Sequence, residues 1–138
     1  MILSANLNDV CNSITSKIDH SLAAAVIDLE SGLLLGVSHD VDTFTQSFLD
    51  TLAASAADMF RGMTMRNIEE MMASLRDQAH FSAAQELHFA TQQTYHFMAI
   101  VPENPHILAV LVTDKQSSFG LGWQELQKML PVIATICP

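Results

Sequence analysis

Histidine and cysteine are the residue types in this chain that could do chemistry, as metal ligands or as nucleophiles. His88 and His96 lie on either side of a predicted two-residue turn. In the register that such a turn sets, His88 pairs with Phe97 and His96 with Phe89, so the two imidazoles point to opposite faces of a sheet. The histidines weighed as zinc ligands are His80, His88 and His106. Because no HxxxH or CxxC spacing gathers such ligands, the sequence predicts no metal site.

The two cysteines are poor candidates for a catalytic nucleophile. Cys11 falls on the apolar stripe of a predicted helix, and burial raises the pKa of a thiol. Cys137 is next to the last residue, where a catalytic site is hard to build; whether the two thiols pair is left open. Capping, solvation and turn formation account for the other candidates, which are Ser117, Ser118, Glu69, Glu70 and Asp28. With no P-loop and no GxGxxG motif for phosphate, we expect neither catalysis nor a cofactor.

Charge narrows the class of partner. Fifteen Asp and Glu against six Lys and Arg give a net charge of −9 over 138 residues. Nucleic-acid binders need a basic patch and anionic membranes attract basic segments, so both are disfavoured partners. No run of about 18 apolar residues would span a bilayer, and the first residues lack the regions of a signal peptide. We therefore expect a single cytoplasmic domain, residues 1–138.

Apolar spacing predicts the elements that must position any site. A three- and four-residue period from Leu3 to Ile18 predicts an opening helix. Apolar runs bounded by turn residues predict five strands, with Gly32 in the turn between the first two. The predicted strands are Leu22–Leu29, Leu33–Val37, Leu87–Thr91, Tyr95–Val101 and His106–Thr113. The first two and the last are apolar almost throughout, which is typical of strands covered on both faces.

Two helices are predicted between the second and third strands. The first is Phe44–Arg61, capped by Asp42 or Thr43 and stopped by Gly62, with alanines in its middle that let another backbone approach closely. The second is Thr64–Gln78. The residues on its apolar face are Ile68, Met71, Met72 and Leu75. Methionine-rich faces adapt to irregular partners; packing on the sheet is the alternative interpretation.

A last helix follows Ser117 or Ser118, and Pro131 should kink it or open a new turn. The order is therefore helix, two strands, one or two helices, three strands, helix. Short links make the last three strands an antiparallel meander. The predicted fold is α+β, with one antiparallel sheet and flanking helices.

This order and two strings resemble the Roadblock (dynein light chain) family, which includes bacterial regulators of Ras-like GTPases. The strings are AAAVIDLESGLLLG and ILAVLVTDKQSSFGLGWQELQKML. The resemblance spans nearly the whole chain and implies a profilin-like fold with a central five-stranded sheet of order 2-1-5-4-3. The segment from Met63 to Ala84 departs from the family, whose connection between the middle helix and the third strand is shorter.

The resemblance also implies a function: a non-enzymatic homodimeric scaffold that binds a small Ras-like GTPase and modulates its nucleotide state or location. The implied dimer uses the middle helix and the third strand, and an unpaired edge strand suits such pairing. The expected interface residues are Phe48, Leu52, Ala53, Ala56, Leu87 and Phe89. The expected partner-binding residues are Met59, Met63, Met71 and Met72.

Two other functions stay open at this point. The same outline of sheet and helices is found in PAS- and GAF-like sensors, which hold small molecules between the two layers. The residues weighed as the lining of such a pocket are Phe89, Tyr95, His96, Phe97 and Met98. A purely structural homodimer inside a larger assembly is the third possibility. Fold-level resemblance alone does not choose among them.

Overall fold

The computed structural model describes residues 2–75 and 84–137, which form four helices and five strands. The helices are α1 (Ile2–Lys17), α2 (Gln46–Arg61), α3 (Met63–Leu75) and α4 (Phe119–Ile136). The strands are β1 (Ser21–Asp28), β2 (Leu33–His39), β3 (Glu86–Ala90), β4 (Thr94–Ile100) and β5 (Ile107–Asp114). This confirms the predicted order of elements. The predicted end of α3 at Gln78 and the candidate ligand His80 lie outside the described residues.

The five strands form one antiparallel sheet in the order β2-β1-β5-β4-β3. This confirms the profilin-like α+β fold that the resemblance implied. The register of β3 on β4 pairs His88 with Phe97 and Phe89 with His96, as the predicted turn requires. The two histidines therefore belong to different faces of the sheet.

The turn between β1 and β2 is built as the sequence indicates. Gly32 has a φ of 74°, in the left-handed region that favours glycine. The Asp28 carboxylate accepts hydrogen bonds from the Glu30 N–H and the Ser31 hydroxyl, at 3.0 and 2.9 Å. Asp28 thus stabilises the turn, as expected.

Each face of the sheet carries its own core. On one face, α1 and α4 pack on the sheet. Fully buried residues of this core are Leu7, Cys11, Phe97, Leu111, Leu126 and Ile133. On the other face, α2 packs on β1 and β2. The second core contains Ile27, Leu29, Ala53, Ala56, Phe60, Met98, Ile100 and Leu108. Since β1 and β5 contribute to both cores, their continuous apolar runs are explained.

Two helix starts and one helix stop fix how these layers are placed. The N-cap of α2 is Thr45, whose hydroxyl accepts from the Phe48 N–H at 3.2 Å. The prediction of Asp42 or Thr43 as the cap, with Phe44 already helical, is wrong because Thr45 is the hydroxyl that reaches the third N–H of the first turn. Of the two caps predicted for α4, Ser117 and Ser118, the cap is Ser118, whose hydroxyl accepts from the Leu121 N–H at 3.1 Å. Gly62 ends α2, with its N–H bonded to the Asp58 carbonyl.

α4 is held close to the sheet by a glycine. A Cβ at Gly122 would lie 2.6 Å from the Phe97 ring, so only glycine permits this approach. The helix continues through Pro131 to Ile136, and no new element opens there. Within the described residues, no helix combines the length and the apolar character that crossing a membrane requires.

Candidate protein-interaction surfaces

An apolar groove opens between α2 and the sheet. Because α2 lies over β1 and β2, part of the same face of β4 and β5 stays open beside it. The groove has a volume of about 310 Å³. Its sheet side includes Phe89, His96, Met98, Val110 and Val112. A concave apolar surface with a polar side chain in its lining is a common form of binding site.

The wall that α2 contributes is a stripe with coiled-coil spacing. The residues of this stripe are Phe48, Leu52, Ser55 and Met59, which all line the groove. They follow one another at steps of four, three and four, which keeps them on one side of the helix. Phe48 and Leu52 are 42% and 45% exposed. The stripe is therefore available to a second helix laid along the groove.

Five of the six residues expected at the dimer interface line this groove, and Leu87 does not. Phe48, Leu52 and Phe89 are partly exposed along it. Ala53 and Ala56 also line it, but they lie on the buried side of α2, where their small side chains let the helix approach the sheet closely. The sixth, Leu87, packs against the α2-side core instead. The dimer itself stays a prediction.

The residues weighed as a sensor pocket are divided between the two faces. Phe89, His96 and Met98 line the groove. Tyr95 and Phe97 point to the opposite face, where their rings meet each other and Phe119. A single pocket containing all of them is therefore wrong, because neighbours along a strand alternate between faces.

The two edges of the sheet differ in how open they are. On β2, the Asn8 side chain of α1 accepts from the Val37 N–H at 2.9 Å, and the pairing with β1 shifts register between Val26 and Ile27. A capped and bulged edge resists the addition of another strand. The β2 edge is thus blocked by the chain itself.

The β3 edge is regular by contrast. The Ile100 N–H bonds to the Gln85 carbonyl at 2.8 Å and the Thr91 N–H to the Thr94 carbonyl at 2.9 Å, which fixes the phase of the β3–β4 hydrogen bonds. In an antiparallel pair this phase alternates, so the N–H and C=O groups of alternate β3 residues point away from β4. The residues with this outward orientation are Glu86, His88 and Ala90. Among the described residues, no strand pairs with this edge.

A third surface lies on α3, which packs on α2 and not on the sheet. Ala73 is its one buried residue within the described range. We call its exposed apolar side the methionine face, made of Met63, Ile68, Met71 and Leu75, which are 71%, 50%, 65% and 77% exposed. Packing of this face on the sheet, the alternative interpretation given above, is wrong because α3 contacts none of the described strands. Of the expected partner-binding set, Met72 is half-buried and Met59 belongs to the groove.

Comparison with known proteins separates sequence from structure. No protein-family model matches the chain, and no curated protein matches it. An MglB structure with a tetrameric arrangement is 21% identical at a TM-score of 0.72, covering 97% of this chain and 89% of that one. The gliding protein MglB from Thermus thermophilus is also 21% identical at a TM-score of 0.72, covering 97% and 90%. A Roadblock/LC7 domain from Streptomyces avermitilis is 12% identical at a TM-score of 0.70, covering 94% and 95%. The chain has the Roadblock/LC7 fold.

In this Roadblock/LC7 fold, α2 and α3 carry exposed acidic side chains. Asp50 and Asp58 are exposed on α2, and Glu70 is exposed on α3. The basic residues nearby are turned toward their own chain: the Arg61 guanidinium donates to the Pro105 carbonyl, and that of Arg66 to the Arg61 carbonyl at 3.4 Å. The exposed charge on these two helices is therefore suited to a partner with basic groups.

The groups that could do chemistry are inert or dispersed in this Roadblock/LC7 fold. Cys11 and Cys137 are free and buried. Burial raises the pKa of the Cys11 thiol to about 12 and raises the pKa of Cys137 as well. Among residues 2–75 and 84–137, no three His, Cys, Asp or Glu side chains gather as metal ligands would. The sequence did not reveal that His88 packs against Trp123 between the sheet and α4, with their ring centroids 4.2 Å apart.

Proposed function

We propose that this protein is a non-enzymatic dimeric scaffold that binds a small Ras-like GTPase and modulates its nucleotide state or location. The observation that carries the proposal is that two open surfaces lie next to each other on one subunit. They are the apolar groove between α2 and the sheet, which we call the α2 groove, and the unpaired edge of β3, whose Phe89 lines that groove. The MglB structure of the same fold has a tetrameric arrangement, which supports self-association of this fold in general. The GTPase partner rests on the sequence resemblance and on the methionine face.

In the proposed dimer, a second copy supplies a helix to the α2 groove and a strand to the β3 edge. The groove lacks a helix with an apolar stripe, and α2 of a second copy presents one. The β3 edge lacks a strand, and β3 of a second copy can supply one around a two-fold axis. Both are met by one symmetric arrangement in which the two α2 helices pack antiparallel and the two sheets join. Leu87 then contributes by supporting β3 from within its own subunit, not by crossing the interface.

The methionine face is the surface left for another protein. It lies on α3, which contacts α2 and none of the described strands, and its flexible thioether side chains adapt to a partner's shape. Four large apolar side chains at least half exposed on one 13-residue helix are a strong signal of a binding surface. A GTPase with basic residues beside an apolar patch would fit it.

The test is affinity capture from native lysate with excess GDP or a non-hydrolysable GTP analogue, followed by mass spectrometry. Wild-type protein should retain a small GTPase, with different recovery in the two nucleotides. Met63→Glu with Met71→Glu should lower that recovery at least about tenfold, since two charges are buried without partners. Leu33→Glu is the matched control, because Leu33 is 63% exposed on β2. Repeated captures without a GTPase, or equal recovery by the double variant, would contradict the proposal.

A small-molecule sensor is the alternative that one observation favours. The groove of about 310 Å³ lies at the lower end of the size range of ligand pockets. Native mass spectrometry of freshly purified protein separates the two functions. A monomer with added mass of a bound molecule would favour the sensor, whereas a dimer without added mass would favour the scaffold.

A further inference from the structure

Among the described residues that line the α2 groove, His96 is the one whose side chain titrates near neutral pH. Its ring stacks on Phe89, with centroids 4.4 Å apart and planes inclined by 9°. Its Nε2 is 2.9 Å from the Thr94 hydroxyl, which holds the ring in the groove wall. A second helix laid in the groove would therefore bury this imidazole further.

None of the described groove residues carries a charge that would compensate a proton on His96. No ion pair found within residues 2–75 and 84–137 includes it. The residues of the α2 stripe, which a second copy would bring, carry no charge: Phe48, Leu52, Ser55 and Met59. Burial already lowers the pKa of His96 in the single subunit. An imidazolium in this position is thus destabilised by lost hydration alone.

The charged groups on the elements around His96 are engaged elsewhere. On β3, Glu86 and His88 belong to the opposite face. On β5, Asp114 pairs across from Thr94, and its carboxylate lies 3.4 Å from His20 Nδ1 while accepting from the Gln116 N–H.

On α2, Asp50 and Asp58 are exposed and do not line the groove. The aspartates of the helix that would enter from a second copy occupy the same positions and are likewise off its apolar stripe. On β2, His39 is a second titratable group beside the groove, since its ring centroid is 5.5 Å from that of the groove residue Phe44, but it does not line the groove itself. Among the described residues that line the groove, His96 therefore meets only uncharged side chains.

We infer that His96 makes self-association of this protein depend on pH, with a neutral imidazole required for a second copy's α2 to seat in the groove. The inference rests on the proposed dimer and specifies how that dimer is regulated. The sign follows from proton binding. Separated subunits bind the proton on His96 more tightly than the dimer does, so dissociation takes up protons. The dimer therefore weakens as the pH falls through the lowered pKa of His96, which lies below the usual histidine value of about 6.5.

Sedimentation equilibrium at about pH 7.5 and about pH 5.5 measures this linkage in the wild-type chain. If seating the helix lowers the pKa of each of the two His96 side chains by a further unit, the dissociation constant should rise at least about threefold at the lower pH. His96→Gln should reduce this change to less than about twofold. His96→Phe, which keeps a ring stacked on Phe89, is a second uncharged variant. His106→Gln is the matched control, because His106 pairs with Glu30 at 3.1 Å and does not line the groove.

The outcomes separate this inference from the dimer on which it rests. A wild-type chain that is dimeric with the same constant at both pH values would overturn the inference and leave the dimer intact. Uncharged His96 variants that keep the full pH dependence would overturn it as well. A chain that is monomeric at both pH values would overturn the proposed dimer and the inference together.

Discussion

The two faces of the sheet are closed to different degrees. On one face, α1 and α4 together cover the sheet, and ten of the core residues there, Leu7 and Ile133 among them, have no exposed surface. On the other, α2 is the described helix that packs on β1 and β2, and an apolar groove opens beside it. From this difference we infer that the groove is where the proposed second subunit binds. The difference also predicts that substitutions on the two faces act on different quantities, folding on the first and assembly on the second.

The largest effect is expected on the closed face. Phe97→Ala removes a fully buried ring between the sheet and α4. Large-to-small changes of this kind lower the free energy of unfolding by about 3–5 kcal/mol, because the neighbours cannot refill the space. Urea unfolding followed by circular dichroism measures it. A loss below about 1 kcal/mol would show that this face is not closed as described.

A substitution on the open face should change the oligomeric state and leave the free energy of unfolding of the subunit nearly unchanged. Leu52→Glu places a charge on the exposed α2 stripe and should convert the dimer to monomer at micromolar concentration, since the carboxylate would be buried without a partner. The free energy of unfolding of the separated subunit should change by about 0.5 kcal/mol or less, as for other exposed positions. Light scattering and urea unfolding of the same samples give both values.

The matched control for that substitution is Leu33→Glu on β2, where the side chain is more exposed than Leu52 and lies outside the groove. It should remain dimeric. If Leu52→Glu and Leu33→Glu both dissociate the dimer, the added charge itself causes the dissociation, and the result would not support the groove as the interface.

Removing either of two helix caps, one on each face of the sheet, should lower the free energy of unfolding by a smaller amount that is the same for both. Thr45→Ala and Ser118→Ala each remove a hydroxyl that accepts from the first turn, of α2 and of α4 respectively. Each should lower the free energy of unfolding by about 1 kcal/mol. A much larger loss at one of them would mean that its hydroxyl does more than cap a helix.

The smallest effect concerns thiol chemistry on the closed face. Burial raises the pKa of Cys11 to about 12, so almost none of it is thiolate near neutral pH. A disulfide-exchange reagent at about pH 8 should label Cys11 only after urea is added. Rapid labelling of the folded protein, located by peptide mass spectrometry, would show that α1 opens readily from the sheet.

The sequence was informative where one local rule decides the structure. Period and turn residues placed the strands, and a two-residue turn set the register that separates His88 from His96. The Ser118 cap and the Gly62 stop follow from residue type in the same way. These features depend on neighbours in the chain.

Features that depend on distant parts of the chain could not be predicted in this way. Which hydroxyl caps α2 depends on where the preceding loop ends, so Thr45 was missed. The sequence of α3 has the same apolar spacing whether its apolar side packs on the sheet or faces solvent. The structure distinguishes the two, because α3 contacts α2 and none of the described strands. The Asn8 cap on the β2 edge joins residues 29 apart in sequence, which no local pattern reveals.

The most direct test of the account is the mass of the freshly purified protein, measured by light scattering at micromolar concentration and about pH 7.5. We predict a dimer, with twice the 15.1 kDa mass of one chain. A stable monomer of 15.1 kDa would contradict it, because the groove and the β3 edge would then be left open in solution.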